Sequence, residues 1–316
     1  MSELDSVPNG ELIYNVDRNL QAMLTKVPDE IRLDAEQREH VGRLFDRYLG
    51  LERCYHLIET PFQGDDEENE DFAMDELAKG LFKGEPDSPA GTLVAGIRLG
   101  KRGLLRTQAY PIDAVLESPN YVFAFLGMDD LLADARWALP DGNRALLSFV
   151  LKPNVQTIPG HRAFNAIDTG GFIVSSNPEA VGELILTIPT LNALRREMLL
   201  RVGPDKGFDS QSGDSELYDT DYGYYSDEGK PHTVFGRREV NFPEEIPPSF
   251  VEAVVINDKE KLSYLEPYMD VSINKLPLRS ILMDRKQYRD ANRDRFEQAH
   301  QLKREIESFY DSLRES

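Results

Sequence analysis

Residues 234–256 read VFGRREVNFPEEIPPSFVEAVVI. An apolar strand around Glu239 runs into a Pro-rich turn, and a second apolar strand follows. A glutamate inside an apolar strand costs free energy unless it has partners or a task. Side chains alternate across a strand, so REVNF sets Val240 and Phe242 on one side and Glu239 on the other. The late strand–turn–strand unit, coming after helices, marks a chain in which both element types build the core.

Working outward, the 27 residues just before this unit, DKGFDSQSGDSELYDTDYGYYSDEGKP from Asp205 to Pro231, are rich in Gly, Ser, Asp and Tyr without a sustained period. They read as a loop inserted at 205–231. Farther upstream the period of 3.6 dominates. Ile13, Val16, Leu20, Met23 and Leu24 share one helical face, and Val41, Leu44, Phe45 and Tyr48 share another before Gly50. Leu51–Thr60, LERCYHLIET, is a buried strand stopped by Pro61. Gln63–Phe72, QGDDEENEDF, is too acidic to enter a core and is expected as an exposed insertion over 64–72. A helix near 74–82, strands near 92–98, 121–126, 144–151 and 171–175, and helices near 129–138 and 191–201 complete the middle of the chain. At the far end Ala299, Leu302, Ile306, Phe309 and Leu313 stripe a long C-terminal helix. Strands and helices interleave without a regular repeat, which predicts α+β over a doubly wound sheet. The expected organisation is a helical extension at 1–50, an α+β domain with the two acidic insertions at 51–270, and the C-terminal helix at 271–316.

Composition narrows the function classes. The formal net charge of −20 opposes any extended nucleic-acid partner, which requires cations to release counterions. Two basic clusters, Arg98, Lys101, Arg102 and Arg106, and Arg195, Arg196 and Arg201, are either phosphate-facing or solvated faces. No apolar run reaches the length of a membrane span, and MSELDSVPNGEL lacks a basic flank followed by an apolar segment, so no membrane partner and a cytoplasmic setting are expected. The single cysteine, Cys54, excludes an internal disulfide and a multi-cysteine zinc site, and reads as a small buried side chain. The five histidines show no ligand spacing, and no metal site is expected.

Three motifs in order carry a resemblance. Tyr55-His56 lies in CYHLIET, Tyr121 in SPNYVFAFLGMDDLLADARW, and Glu239 in GRREVNFP. This order resembles one branch of the ADP-ribosyltransferases, glycosyltransferases that consume NAD. There a first strand carries a Tyr-His pair, a later strand a Tyr before a short helix, and a strand of the last core hairpin a Glu. The resemblance implies split antiparallel sheets with peripheral helices around an NAD cleft. It also implies catalysis by Glu239 and His56, NAD contacts from Tyr55, His56 and Tyr121, and no metal. Nicotinamide loss passes through an oxocarbenium-like centre, which a carboxylate stabilises; an imidazole can donate to a ribose hydroxyl, and a tyrosine ring offers a stacking face. Tyr218, Tyr222, Tyr224 and Tyr225 in the loop before Glu239 would contact the macromolecular acceptor, a protein in the leading reading. The chain departs from the pattern at Leu57, where a small residue usually follows the histidine, and Arg53 is an alternative first-strand residue in place of His56. Arg237, two residues before Glu239, makes arginine a poor acceptor. Two rivals remain at this stage: a non-enzymatic acidic interaction or inhibitor protein that binds a basic partner surface, and an Asp/Glu metal-dependent hydrolase.

Overall fold

The computed structural model describes residues 15–59, 121–128, 145–165, 185–204, 234–236, 238–243, 246–256, 266, 269–270, 272–273 and 275–315. The acidic insertions, the elements expected near 74–82, 92–98, 129–138 and 171–175, the basic cluster Arg98–Arg106, Arg237 and the four loop tyrosines lie outside these residues.

Three helices begin where a side chain takes their first unpaired N–H groups. In α1 (Val16–Lys26) Asn15 accepts from the Arg18 N–H at 2.9 Å. In α2 (Ala35–Leu49) Asp34 and Gln37 form a reciprocal capping box. In α3 (Ile188–Val202) Thr187 and Thr190 do the same. The strands of the large sheet are β1 (Arg53–Glu59), β2 (Tyr121–Gly127), β3 (Ala145–Leu151), β4 (Arg162–Phe164), β5 (Ile185–Leu186), β6 (Arg238–Pro243) and β7 (Val251–Ile256). A two-stranded ribbon, β8 (Ser272–Ile273) and β9 (Leu276–Pro277), precedes the short helix α4 (Leu278–Ile281). Strand β10 (Leu282–Asp284), helix α5 (Arg285–Ala291) and the long helix α6 (Arg293–Arg314) follow.

The fold is α+β with a long C-terminal helix. Among the described residues its two sheets are unequal, eight strands in the order β10-β7-β3-β1-β2-β6-β4-β5 and two in β8-β9. Pairing is antiparallel throughout except for the parallel contact of β10 with β7.

One expectation is corrected by this order. The Glu239 strand and the strand after it, read as a hairpin, do not pair: β6 lies between β2 and β4, and β7 between β3 and β10. Three strands separate them, a gap of about 19 Å at the usual strand spacing. The segment 244–250 reaches at most about 25 Å when extended and so covers the crossing. Two proline residues, Pro247 and Pro248, cannot donate to a ladder, and a 3-10 turn at Pro248–Phe250 redirects the chain into β7. The Lys152 N–H, at the end of β3, donates to the Phe250 carbonyl at 2.8 Å and fixes the arrival point.

The two faces of the large sheet are packed differently. One face supplies Cys54, Val122, Ala124, Leu126, Phe149, Leu151, Val240 and Phe242 to a continuous core with residues of α1, α2, α3 and α6. The helices at either end of the chain thus share the core of the central strands. The other face supplies Tyr55, Val150, Ala253 and Val255, covered by Tyr288 of α5, with Met283 of β10 and Phe296 of α6 alongside. Arg295 locks this cover. Its Nη1 donates to the Leu51 carbonyl at 2.9 Å and its Nη2 to the Tyr288 hydroxyl at 2.7 Å.

The basic residues of α3 serve the fold. Arg195 is buried against Glu52, Arg196 lies 3.3 Å from Asp46, and Arg201 lies 3.3 Å from Glu197 and reaches the carbonyls of Leu24 and Val27. Arg195 is thus a buried structural residue, whereas Arg196 and Arg201 form ion pairs that stay partly exposed.

Candidate functional site

Strand register decides which candidate residues can meet. Tyr55 of β1 stands opposite Phe125 of β2, and Phe125 stands opposite Glu239 of β6. Directly opposed residues on neighbouring strands project to the same face. Tyr55, Phe125 and Glu239 therefore form one row across three adjacent strands, with about 10 Å between the two outer Cα atoms. Val150 and Ala253 extend the row on the far side of Tyr55. Arg53, two residues before Tyr55, shares this face. Its Nε donates to Glu252 Oε2 at 3.0 Å, and its Nη1 donates to the carbonyls of Leu51 and Glu52.

His56 belongs to the other face. It stands opposite Phe149, their ring centroids are 6.3 Å apart, and Phe149 is part of the helix-covered core. The imidazole and the Glu239 carboxylate thus point away from each other through the sheet and cannot contact one ribose. Tyr121 stands opposite Pro243, four residues along β2 from Phe125, which puts about 13 Å of strand between it and the row. Of the four residues singled out in the sequence, Tyr55 and Glu239 fall in one row, Tyr121 holds a backbone position about 13 Å farther along β2, and His56 belongs to the opposite face.

Burial sharpens the chemistry. Glu239 is 2 % exposed, so neither face of β6 is solvated: Val240 and Phe242 are buried on one side, Glu239 and Asn241 on the other. Arg162 of β4, also buried, stands opposite Asn241 and hence diagonal to Glu239, a cross-strand placement that favours opposite charges. A buried acid, a buried cation and a buried amide thus share one patch at β6 and β4. The sequence signal for Asn241 was the period of two in Glu239-Val240-Asn241. None existed for Arg162, whose strand is three residues long.

The helical face offers a different recess. A pocket of about 270 Å³ opens between the end of α2 and the start of α3, lined by Glu52, Cys54, Lys152 and Asn192 among others. It lies across the sheet from the Glu239 row. Burial pushes the Cys54 thiol well above its ordinary range, and Glu52 adds to the shift, so the thiol stays protonated and is no nucleophile.

Against known proteins, the sequence matches no family model, no curated protein and no solved structure. Among the described residues no helix is long and apolar enough to cross a membrane.

Proposed function

We propose that the chain is an NAD-consuming transferase of the ADP-ribosyl type, modifying a macromolecular target, a protein, in a reducing cytoplasm. The observation that supports this reading best is the row Tyr55–Phe125–Glu239, which sets one acid and two aromatic rings on a single sheet face. Glu239 is the carboxylate that stabilises positive charge at the ribose carbon. Arg53 takes the first-strand position on that face, since His56 faces the opposite core. In the reaction the bond from the ribose carbon to nicotinamide breaks, and its electron pair leaves with nicotinamide. The acceptor's lone pair forms the new bond to the same carbon, and the acceptor's proton passes to solvent. Electrostatic stabilisation of the kind assigned to Glu239 is commonly the largest contribution in such transfers.

The deciding experiment incubates the protein with NAD labelled in the adenylate half and a cell lysate. Label carried on protein, with release of free nicotinamide, supports the transferase. No label on any macromolecule and no nicotinamide release overturns it. In that case, salt-sensitive capture of a basic protein would support the non-enzymatic reading, which the net charge of −20 favours.

A further inference from the structure

Asn241 sits two residues beyond Glu239 on β6, so its side chain leaves the same face about 7 Å along the strand. It is 1 % exposed, and its Oδ1 accepts no hydrogen bond. Buried amide oxygens are nearly always paired, because desolvating one without a partner costs free energy. An unsatisfied acceptor of this kind, next to a buried acid and opposite the buried Arg162, has the properties of a ligand contact whose donor arrives from outside the chain. The spacing also fits. A carboxylate and an amide about 7 Å apart along one strand match the span of a sugar with its hydroxyls, with the acid at the reacting carbon and the amide at a hydroxyl beside it.

We infer that Asn241 is a positioning residue for the substrate, accepting a hydrogen bond from a hydroxyl of the ribose that Glu239 addresses. This rests on the NAD-consuming reading and deepens it. The contact holds the sugar in the ground state and the transition state alike, so its loss weakens substrate binding and leaves the chemical step nearly unchanged. Because the donor is a sugar hydroxyl, free nicotinamide, which has amide N–H groups but no sugar, is bound without help from Asn241.

The test measures nicotinamide release from NAD by the full chain and by Asn241→Leu, which keeps the side-chain shape and removes the acceptor. The expected result is a KM for NAD raised roughly tenfold, the equivalent of one lost neutral hydrogen bond, with kcat changed less than about twofold. The inhibition constant of free nicotinamide is expected to stay the same. Asn241→Ser, which restores a smaller acceptor, is expected to recover part of the KM, and thermal melts of both variants check folding. An active parent with an unaltered KM in folded Asn241→Leu overturns the inference and leaves the transferase standing. An equal rise for NAD and for nicotinamide overturns it too, since the contact then lies off the sugar. A parent that neither binds nor consumes NAD overturns both.

Discussion

Arg195 and Glu52 form a fully buried two-pronged ion pair across the core: Nη1 to Oε2 is 2.7 Å and Nη2 to Oε1 is 2.8 Å. The guanidinium also donates through Nε and Nη2 to the Val234 carbonyl, at 2.9 and 2.7 Å. One side chain of α3 thereby ties the entry to β1 and the segment leading to β6. Burial works against the guanidinium's charge, but Glu52 more than offsets it and holds Arg195 above its ordinary pKa. Removing one partner strands the other charge in the core. Glu52→Gln and Arg195→Met are each expected to cost about 3–5 kcal/mol, and Glu52→Leu with Arg195→Met to recover most of that loss. Urea denaturation measures all three, and a double variant no better than either single one argues against a stranded charge.

His161 gives the fold a pH dependence with a definite sign. The Ile188 N–H donates to Nε2 at 3.0 Å, so the proton sits on Nδ1, which donates to the Ile158 carbonyl at 2.8 Å. The neutral ring therefore satisfies an N–H of the first turn of α3 that has no partner within the helix. Burial lowers its pKa below the ordinary histidine value, against the Ile158 carbonyl, which works the other way. The unfolded chain takes up the proton near pH 6.5 while the folded chain resists it. Stability from this site is thus complete above about pH 6.5 and declines as pH falls from there towards the lowered folded-state value. Urea midpoints at pH 7.5 and pH 5.5 are expected to differ less in His161→Gln than in the parent; equal differences would remove His161 as the cause.

Two glycines respond oppositely to alanine. Gly203 ends α3 at φ 81° and ψ 178°, a conformation open to glycine almost alone, and an added Cβ meets Ile31 Cδ1 at 3.2 Å. Gly203→Ala is expected to destabilise by about 1–3 kcal/mol. Gly42 lies inside α2, where an added Cβ would meet Arg196 Nη2 at 2.5 Å. That atom is the tip of a flexible side chain whose ion pair with Asp46 is partly exposed, and such pairs contribute little. Helix propensity favours alanine there by about 0.5–1 kcal/mol. Gly42→Ala should leave the melting temperature unchanged or raise it; a clear fall would show that Arg196 cannot move aside.

Local pattern made much of this fold legible. The periodic stripes in α1, α2 and α6 and the apolar runs of β1, β2, β3, β6 and β7 are all present as elements. Strands β4, β5 and β10, of two or three residues, are too short to show any period. Strand order was illegible for a different reason: β6 pairs with β2, more than a hundred residues earlier, and nothing in REVNF names that partner. The Glu52–Arg195 pair, 143 residues apart, is hidden in the same way. The separation of Tyr55 from His56 was half legible, since neighbours on a strand face opposite ways. Which of the two shares a face with Glu239 depends on the register of β1, β2 and β6.

That register sets up a contrast between two residues on β6 and β1, strands with β2 between them. Glu239 lies on the face proposed for the substrate, and His56 is 2 % exposed on the other, against Phe149. Glu239→Gln keeps the shape and removes the charge that stabilises the transition state, so transfer from NAD is expected to fall about 10²–10³-fold while the dinucleotide still binds. His56→Gln perturbs only packing and hydrogen bonding in the helix-covered core. It is expected to lower stability by about 1–3 kcal/mol, the cost of disturbing a buried polar group, and to leave kcat within about twofold once the protein is folded. Nicotinamide release, NAD titration and thermal melts on the same preparations separate the two effects. Loss of turnover in a folded His56→Gln, with Glu239→Gln still active, would place the chemistry on the helical face and reverse the assignment.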